Sequence, residues 1–268
     1  MSEDHSSLSA LTRALSQFSN PYDRQARLQP ALLALVPLVV LVISLYGGKL
    51  RPLSTVVSAL VACGMLFLLS EFARRFGKAK EQVLRKKWGG RPSTQVLRHS
   101  DDTFDPVSTA RYHGILATKL NLRFPTAAEE AADPKAADAV YTSAGNLLRE
   151  VTRDTRKFDL LFKDNISYGF RRNGFGLKPI GLAICFCCII WVVVRHGVGV
   201  WVTRLQSAPD VESFFGGGEL TTLGTVFVML LFWLFHFTEA SVREAAFSYA
   251  RQLVLACETL TAPPKNDA

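Results

Sequence analysis

Tyr168-Gly-Phe-Arg-Arg-Asn-Gly-Phe-Gly-Leu-Lys178 is the stretch on which the reading of the chain turns. A polar segment with helical signals ends there, and from Pro179 to Val194 the chain is apolar. Three similar blocks occur elsewhere, at Ala31–Gly48, Leu53–Ser70 and Leu220–Phe237. Each approaches the roughly 20 apolar residues needed to cross a bilayer. The 49% apolar content of the 268 residues is therefore blocked rather than spread. Four such blocks with basic flanks predict an all-α membrane protein. Four transmembrane helices form two hairpins, with a mostly helical cytosolic domain between them.

Charge sets the orientation. The second block runs into Arg74, Arg75, Lys78, Lys80, Arg85, Lys86, Lys87 and Arg91, opposed only by Glu71 and Glu81. The positive-inside rule puts this side in the cytoplasm and the Gly47–Leu53 turn outside. The expected organisation is a cytosolic amphipathic segment (1-28), a first membrane hairpin (29-71), a cytosolic domain (72-177), a second hairpin (178-238) and a cytosolic helix and tail (239-268). Both termini are cytoplasmic in this reading, and the location is a bacterial inner membrane. About thirty polar residues precede the first span and no small-residue cleavage site follows it, so no cleavable signal is expected.

Local signals divide the polar parts. Leu8, Leu11, Leu15 and Phe18 share one helical face. Trp88-Gly-Gly-Arg-Pro-Ser has turn chemistry and ends the long second helix. Asp105-Pro106 and Asp133-Pro134 are cap-plus-proline starts, and Thr126-Ala-Ala-Glu129 is a capping box. Val140, Ala144, Leu147, Leu148 and Val151 recur with helical period, as do Phe158, Leu161, Phe162, Ile166 and Phe170. Thr94–Leu97 is the one strand candidate. The fourth span is expected to continue unbroken into a seam of Val242, Ala246, Tyr249, Leu253, Ala256 and Leu260. About twenty residues join the third and fourth spans as a loop that exposes Phe214-Phe215.

The candidate site residues fall at span ends. Arg171, Arg172, Asn173 and Lys178 form a basic knot at the inner face, read as headgroup anchoring, an anion or lipid site, or, with Gly169, Gly174 and Gly176, a hinge. Arg195, His196, His236 and Glu239 are candidate intramembrane polar groups. Asp101, Asp102 and Asp105 near His99 read as loop and capping acids. His113 reads as a surface or satisfied histidine. The five cysteines read as small packing residues. The sequence contains no phosphate loop, dinucleotide fingerprint, metalloprotease helix or nucleophile elbow. The expectation is therefore no enzyme, no cofactor and no metal. Acids and bases nearly balance from Pro92 to Lys178, which argues against nucleic acid as a partner despite the net +8 charge.

The segment 88-181 carries Trp88-Gly-Gly-Arg-Pro-Ser-Thr, Arg111-Tyr-His, Pro125-Thr with Glu129-Glu130, Thr152-Arg-Asp, and Leu160-Leu-Phe-Lys-Asp-Asn through Tyr168-Gly-Phe-Arg-Arg-Asn. It resembles a group of bacterial multi-span membrane proteins placed with the defence-associated membrane effectors. No functional residue is carried over. The resemblance implies the plan of a few spans plus a cytosolic sensing part. The first expectation for function is that this part senses a partner protein or small ligand and that the spans form homo-oligomers and perturb or permeabilise the bilayer. The alternatives are a non-lytic scaffold anchoring a cytosolic partner, and a small channel or transporter.

Overall fold

The computed structural model describes residues 20–47 and 55–260, with the side chains of 55–64, 120 and 260 left aside. The amphipathic segment at Leu8–Phe18, the turn around Lys49 and Arg51, Cys63 and Pro263-Pro264 lie outside this description. Every regular element among the described residues is a helix. They are α1 (Asp23–Tyr46), α2 (Thr55–Lys87), α3 (Pro92–Gln95), α4 (Pro106–Leu120), α5 (Ala127–Ala132), α6 (Pro134–Val151), α7 (Asp159–Val194), α8 (Gly197–Ser207), α9 (Val211–Phe215), α10 (Gly217–Phe235) and α11 (Glu239–Leu255). Thr94–Leu97 is thus not a strand. Arg91-Pro92 opens a single helical turn there, and its Pro92, Ser93, Thr94 and Gln95 are all buried.

The chain divides into two compact units, 1–80 with 169–241, and 81–168 with 242–268. In the first, α1, α7 and α10 are each long and apolar enough to cross a membrane. No more than 33% of the apolar window of any of them is buried inside the protein. A helix that is apolar all round must be buried in something, and here protein does not bury it. α1 and α7 run parallel: Ala31 and Leu177 share one apolar hollow, and the Trp191 indole donates to the Tyr46 hydroxyl at 3.0 Å. α10 runs the other way, with Gly218 against Ser44 and Trp233 against Gly181. Their shared core includes Ala34, Leu41, Leu177, Cys185, Val226 and Trp233.

α7 is one helix through Arg171–Lys178, so the stretch read as a hinge is helix interior. Its glycines are contact points. A Cβ on Gly176 would lie 2.5 Å from the Gly77 nitrogen and 2.6 Å from the Phe76 carbonyl carbon. Small residues let membrane helices approach to backbone distance. The fourth apolar block also differs from expectation. α10 ends at Phe235 and α11 starts at Glu239, so the helix does not run unbroken. Phe237 leaves the helix and fills the notch at Gly174, where it is fully buried. Thr238 then caps the restart by accepting from the Ser241 N–H at 3.1 Å. The joining loop is helical as well: α8 and α9 occupy most of it.

In the second unit the predicted caps form. Asp105 accepts from the Val107 and Ser108 N–H groups, Thr126 and Glu129 make a capping box, and Asp133 accepts from Lys135 and Ala136. The buried face of α6 is Ala137, Tyr141, Ala144, Gly145 and Leu148, which keeps Ala144 and Leu148 of the predicted stripe but is rotated away from Val151, 40% exposed. Tyr141 causes the rotation, because its hydroxyl must reach the Glu130 carboxylate at 2.7 Å. α11 delivers Ala250, Leu253 and Val254 to the same core, with Leu97, Leu116 and Leu148. The seam read from the sequence is buried at Val242, Ala246, Leu253 and Ala256.

Glu130 and His113, both buried in this unit, have hydrogen-bond partners. Glu130 accepts from His99 N, Ser100 N, the Ser100 hydroxyl and the Tyr141 hydroxyl. Burial raises its pKa, but the donors outweigh burial and hold it below the ordinary value. His113 is 6% exposed and pairs with the Leu97 carbonyl at 2.7 Å. Burial among His99, Phe124 and Tyr141 rings pulls its pKa below 6.5, against the opposing effects of that carbonyl and of Glu130. The unfolded chain therefore takes up this proton first as the pH falls. Stability carried by neutral His113 is complete above pH 6.5 and is lost below it. Glu130 acts only in the lower window beneath pH 4.5. We expect the melting midpoint to fall between pH 7.5 and 5.5, and His113→Gln to flatten that fall. A midpoint constant over this range in both proteins would contradict the assignment.

Candidate functional site

The candidate residues gather into two polar nodes at the two ends of the apolar region of the first unit. The inner node is built on α7. Asn173 is fully buried there. Ala26 lies in the first, π-helical turns of α1 (Asp23–Leu28) and is fully buried. Asn173 Nδ2 donates to its carbonyl at 2.6 Å. Its Oδ1 accepts from Arg172 Nε at 3.1 Å. Gly77 makes the room, since a Cβ there would stand 2.1 Å from Asn173 Oδ1. Asn173 is thus a lock between α1, α2 and α7, reading as structure before ligand site. Asn173→Ala would remove two hydrogen bonds from a buried site, to the Ala26 carbonyl and from Arg172. We expect a loss of about 2 kcal/mol, read as a lower melting midpoint of the full chain in detergent.

The remaining bases of the knot serve the break between α10 and α11. Lys178 Nζ donates to the carbonyls of Leu234 and Phe237, each at 3.1 Å. These carbonyls end α10, where helix bonds stop and negative dipole accumulates. Arg171 donates to the Ser241 carbonyl at 3.2 Å. Arg172 is 8% exposed. His236 stacks on Phe232 at 4.7 Å and meets Phe170 and Phe237 edge-on. Glu239 sits in the first turn of α11. Of the eight predicted residues, Arg171, Lys178 and His236 therefore meet at one helix break, whereas Asn173, with Arg172 hydrogen-bonded to it, belongs to the contact of α7 with α1 and α2.

The outer node joins the start of α10 to the end of α7. Glu219 lies in the first turn of α10, is 3% exposed and is flanked by His196, Arg204 and Arg195. His196 Nε2 stands 2.5 Å from its Oε1, Arg204 donates to Oε2 at 2.9 Å, and Arg195 lies at 3.8 Å. One nitrogen of Arg195 is buried without a hydrogen-bond partner. Trp201, Phe214 and Phe215 cover the node as an aromatic cluster; Arg204 packs on Trp201 at 5.2 Å and His196 meets it edge-on. Arg195 and His196 were read from the sequence; Glu219 and Arg204 were not. The available signal was an acid set directly before an apolar block, after Gly216-Gly217-Gly218.

Lys178 and Arg195 are 17 residues apart on α7, and Glu219 and His236 are 17 apart across α10. At 1.5 Å per residue both pairs bracket about 26 Å of apolar helix, against about 30 Å for a typical hydrocarbon core. Neither node offers a nucleophile beside a base. Among the described residues no group of three His, Cys, Asp or Glu side chains is placed to hold a metal ion. Asp105 is spent on the cap of α4, and Asp101 accepts from the Thr103 N–H. Cys257 is buried in the core of the second unit, and burial pushes its thiol up to about 12. The chain matches no protein-family model, no curated protein and no solved structure.

Proposed function

We propose that the chain is a multi-pass protein of a bacterial inner membrane that crosses the bilayer four times. In this reading α1 with α2, and α7 with α10, form two hairpins, and both termini and the second unit are cytoplasmic. The second unit senses a partner protein or small ligand. The spans associate with further copies and perturb or permeabilise the membrane, as an antiviral defence effector would. The observation that carries the reading is the pair of polar nodes bracketing about 26 Å of apolar helix, short of a typical bilayer core. Helices too short for their bilayer thin it locally or gather into oligomers. The exposed bases Arg75, Lys78 and Lys80 of α2 support a cytoplasmic inner node. α2 and α7 each contribute residues to both units as single helices, which supports passage of a signal along them.

A potential-sensitive dye in cells expressing the chain with its neighbouring genes tests this. Rapid depolarisation on triggering is expected, abolished by removing Leu220–Ala268 and weakened by Arg171→Ala/Arg172→Ala. Unchanged potential in triggered cells would reject permeabilisation and favour the scaffold.

A further inference from the structure

Two apolar hollows on the first unit join into one groove. The inner one, about 240 Å³, lies between α1, α2 and α7, with Ala31, Leu69, Phe72, Phe76 and Leu177 in its wall. The outer one, about 670 Å³, lies between α1 and α7 from Pro179 to Trp191. Ile180 and Ile184 belong to both. The outer volume alone falls in the roughly 300–1,000 Å³ range of ligand sites. From Pro179 to Trp191 the groove runs about 18 Å along α7, close to the roughly 15 Å that one leaflet contributes to a bilayer core. The Trp191–Tyr46 hydrogen bond closes its outer end.

The inner end is basic. Lys80 follows Phe76 by one helical turn on the same face of α2, and Arg75, one residue before Phe76, flanks that face. Both are exposed, and neither takes part in an ion pair among the described residues. The nearby Glu71 is paired with Arg74.

We propose that this groove binds an anionic phospholipid, with an acyl chain along α7 and the headgroup phosphate against Arg75 and Lys80. A groove opening into hydrocarbon takes an acyl chain or a protein side. A second copy would bring the same cations to the inner end, whereas an anionic headgroup neutralises them. The proposal rests on the membrane-crossing part of the reading above and not on permeabilisation.

Electron spin resonance of the full chain in vesicles tests it, with chain-labelled phosphatidylglycerol or phosphatidylcholine as probes. The expected result is a motionally restricted phosphatidylglycerol fraction exceeding that of phosphatidylcholine roughly fivefold or more in relative association. Arg75→Gln/Lys80→Gln, at exposed positions, should bring that ratio near one and leave some restricted chain. Ala183→Trp, at an exposed position lining the groove, should remove the excess restricted component. Cys187→Trp, also exposed in the groove, repeats the block should the first variant fold poorly. Equal association of the two lipids with the unmodified chain would leave only a general lipid shell and overturn the proposal. So would groove-filling variants that reduce the oligomer but leave phosphatidylglycerol bound, because a second copy would then be the occupant.

Discussion

Gly176→Leu is expected to prevent the first unit from folding. The Cβ it introduces would sit 2.5 Å from the Gly77 nitrogen and 2.6 Å from the Phe76 carbonyl carbon. Both are backbone atoms, so no rotamer change relieves the clash, and the two helices must separate. Overpacking a well-packed site costs about 1–3 kcal/mol when side chains can yield, and more when they cannot. Separation would also disturb the Asn173 lock, which depends on the same approach of α2 to α7. Gly176→Ala should already lower the melting midpoint in detergent, and Gly176→Leu should leave no monodisperse protein. Gly114 supplies the control, because a Cβ there meets nothing within 4 Å. Gly114→Ala should stabilise by about 0.8–1 kcal/mol through helix propensity alone. Equal tolerance of Gly176→Leu and Gly114→Ala would contradict the packing account.

Glu219→Ala is the second large effect. It removes the one carboxylate that accepts from His196 and Arg204 and faces Arg195. Removing one partner of a buried ionic group costs about 3–5 kcal/mol, because the remaining charges stay unpaired. The three partner side chains are each about a quarter exposed, so water returns to them in part. The lower end, about 3 kcal/mol, is the expectation. Glu219→Gln keeps an acceptor without the charge and should fall between. The loss should show as a lower midpoint and as faster hydrogen exchange at the start of α10. A change of less than about 0.5 kcal/mol, the scale of ordinary surface substitutions, would mean that Glu219 does not hold the outer node together.

The parts of the fold that were legible in the sequence are those fixed by chemistry within a few residues. Asp105-Pro106, Thr126 with Glu129, and Asp133-Pro134 each start a helix where read, because a side-chain acceptor and a proline act on the next turn. Three of the four apolar blocks were legible for the same reason, because length and composition alone mark a helix able to cross a bilayer. What was not legible depends on contacts between distant residues. Gly174 and Gly176 look like loosening residues in isolation, and only the arrival of Phe237 and Gly77 makes them contact points. The break at His236–Thr238 has no glycine or proline to announce it. It follows from the notch on α7 that draws Phe237 out of the helix, and from Lys178, which satisfies the carbonyls left behind. Of the candidate site, span-end charges were found because bases at an apolar boundary stand out. Glu219 and Arg204 were missed because their partnership spans fifteen residues of chain that gave no periodic signal.

The layout in the membrane underlies the rest of the account, and side-specific cysteine labelling tests it most directly. In a chain with its five cysteines replaced, Ser207→Cys on α8 and Ser143→Cys on α6 are both at exposed positions. A membrane-impermeant maleimide added to intact cells should label position 207 and spare position 143, and lysis should make 143 reactive. Labelling of both positions in intact cells, or of neither before lysis, would contradict a protein whose two polar nodes face opposite sides of a bilayer.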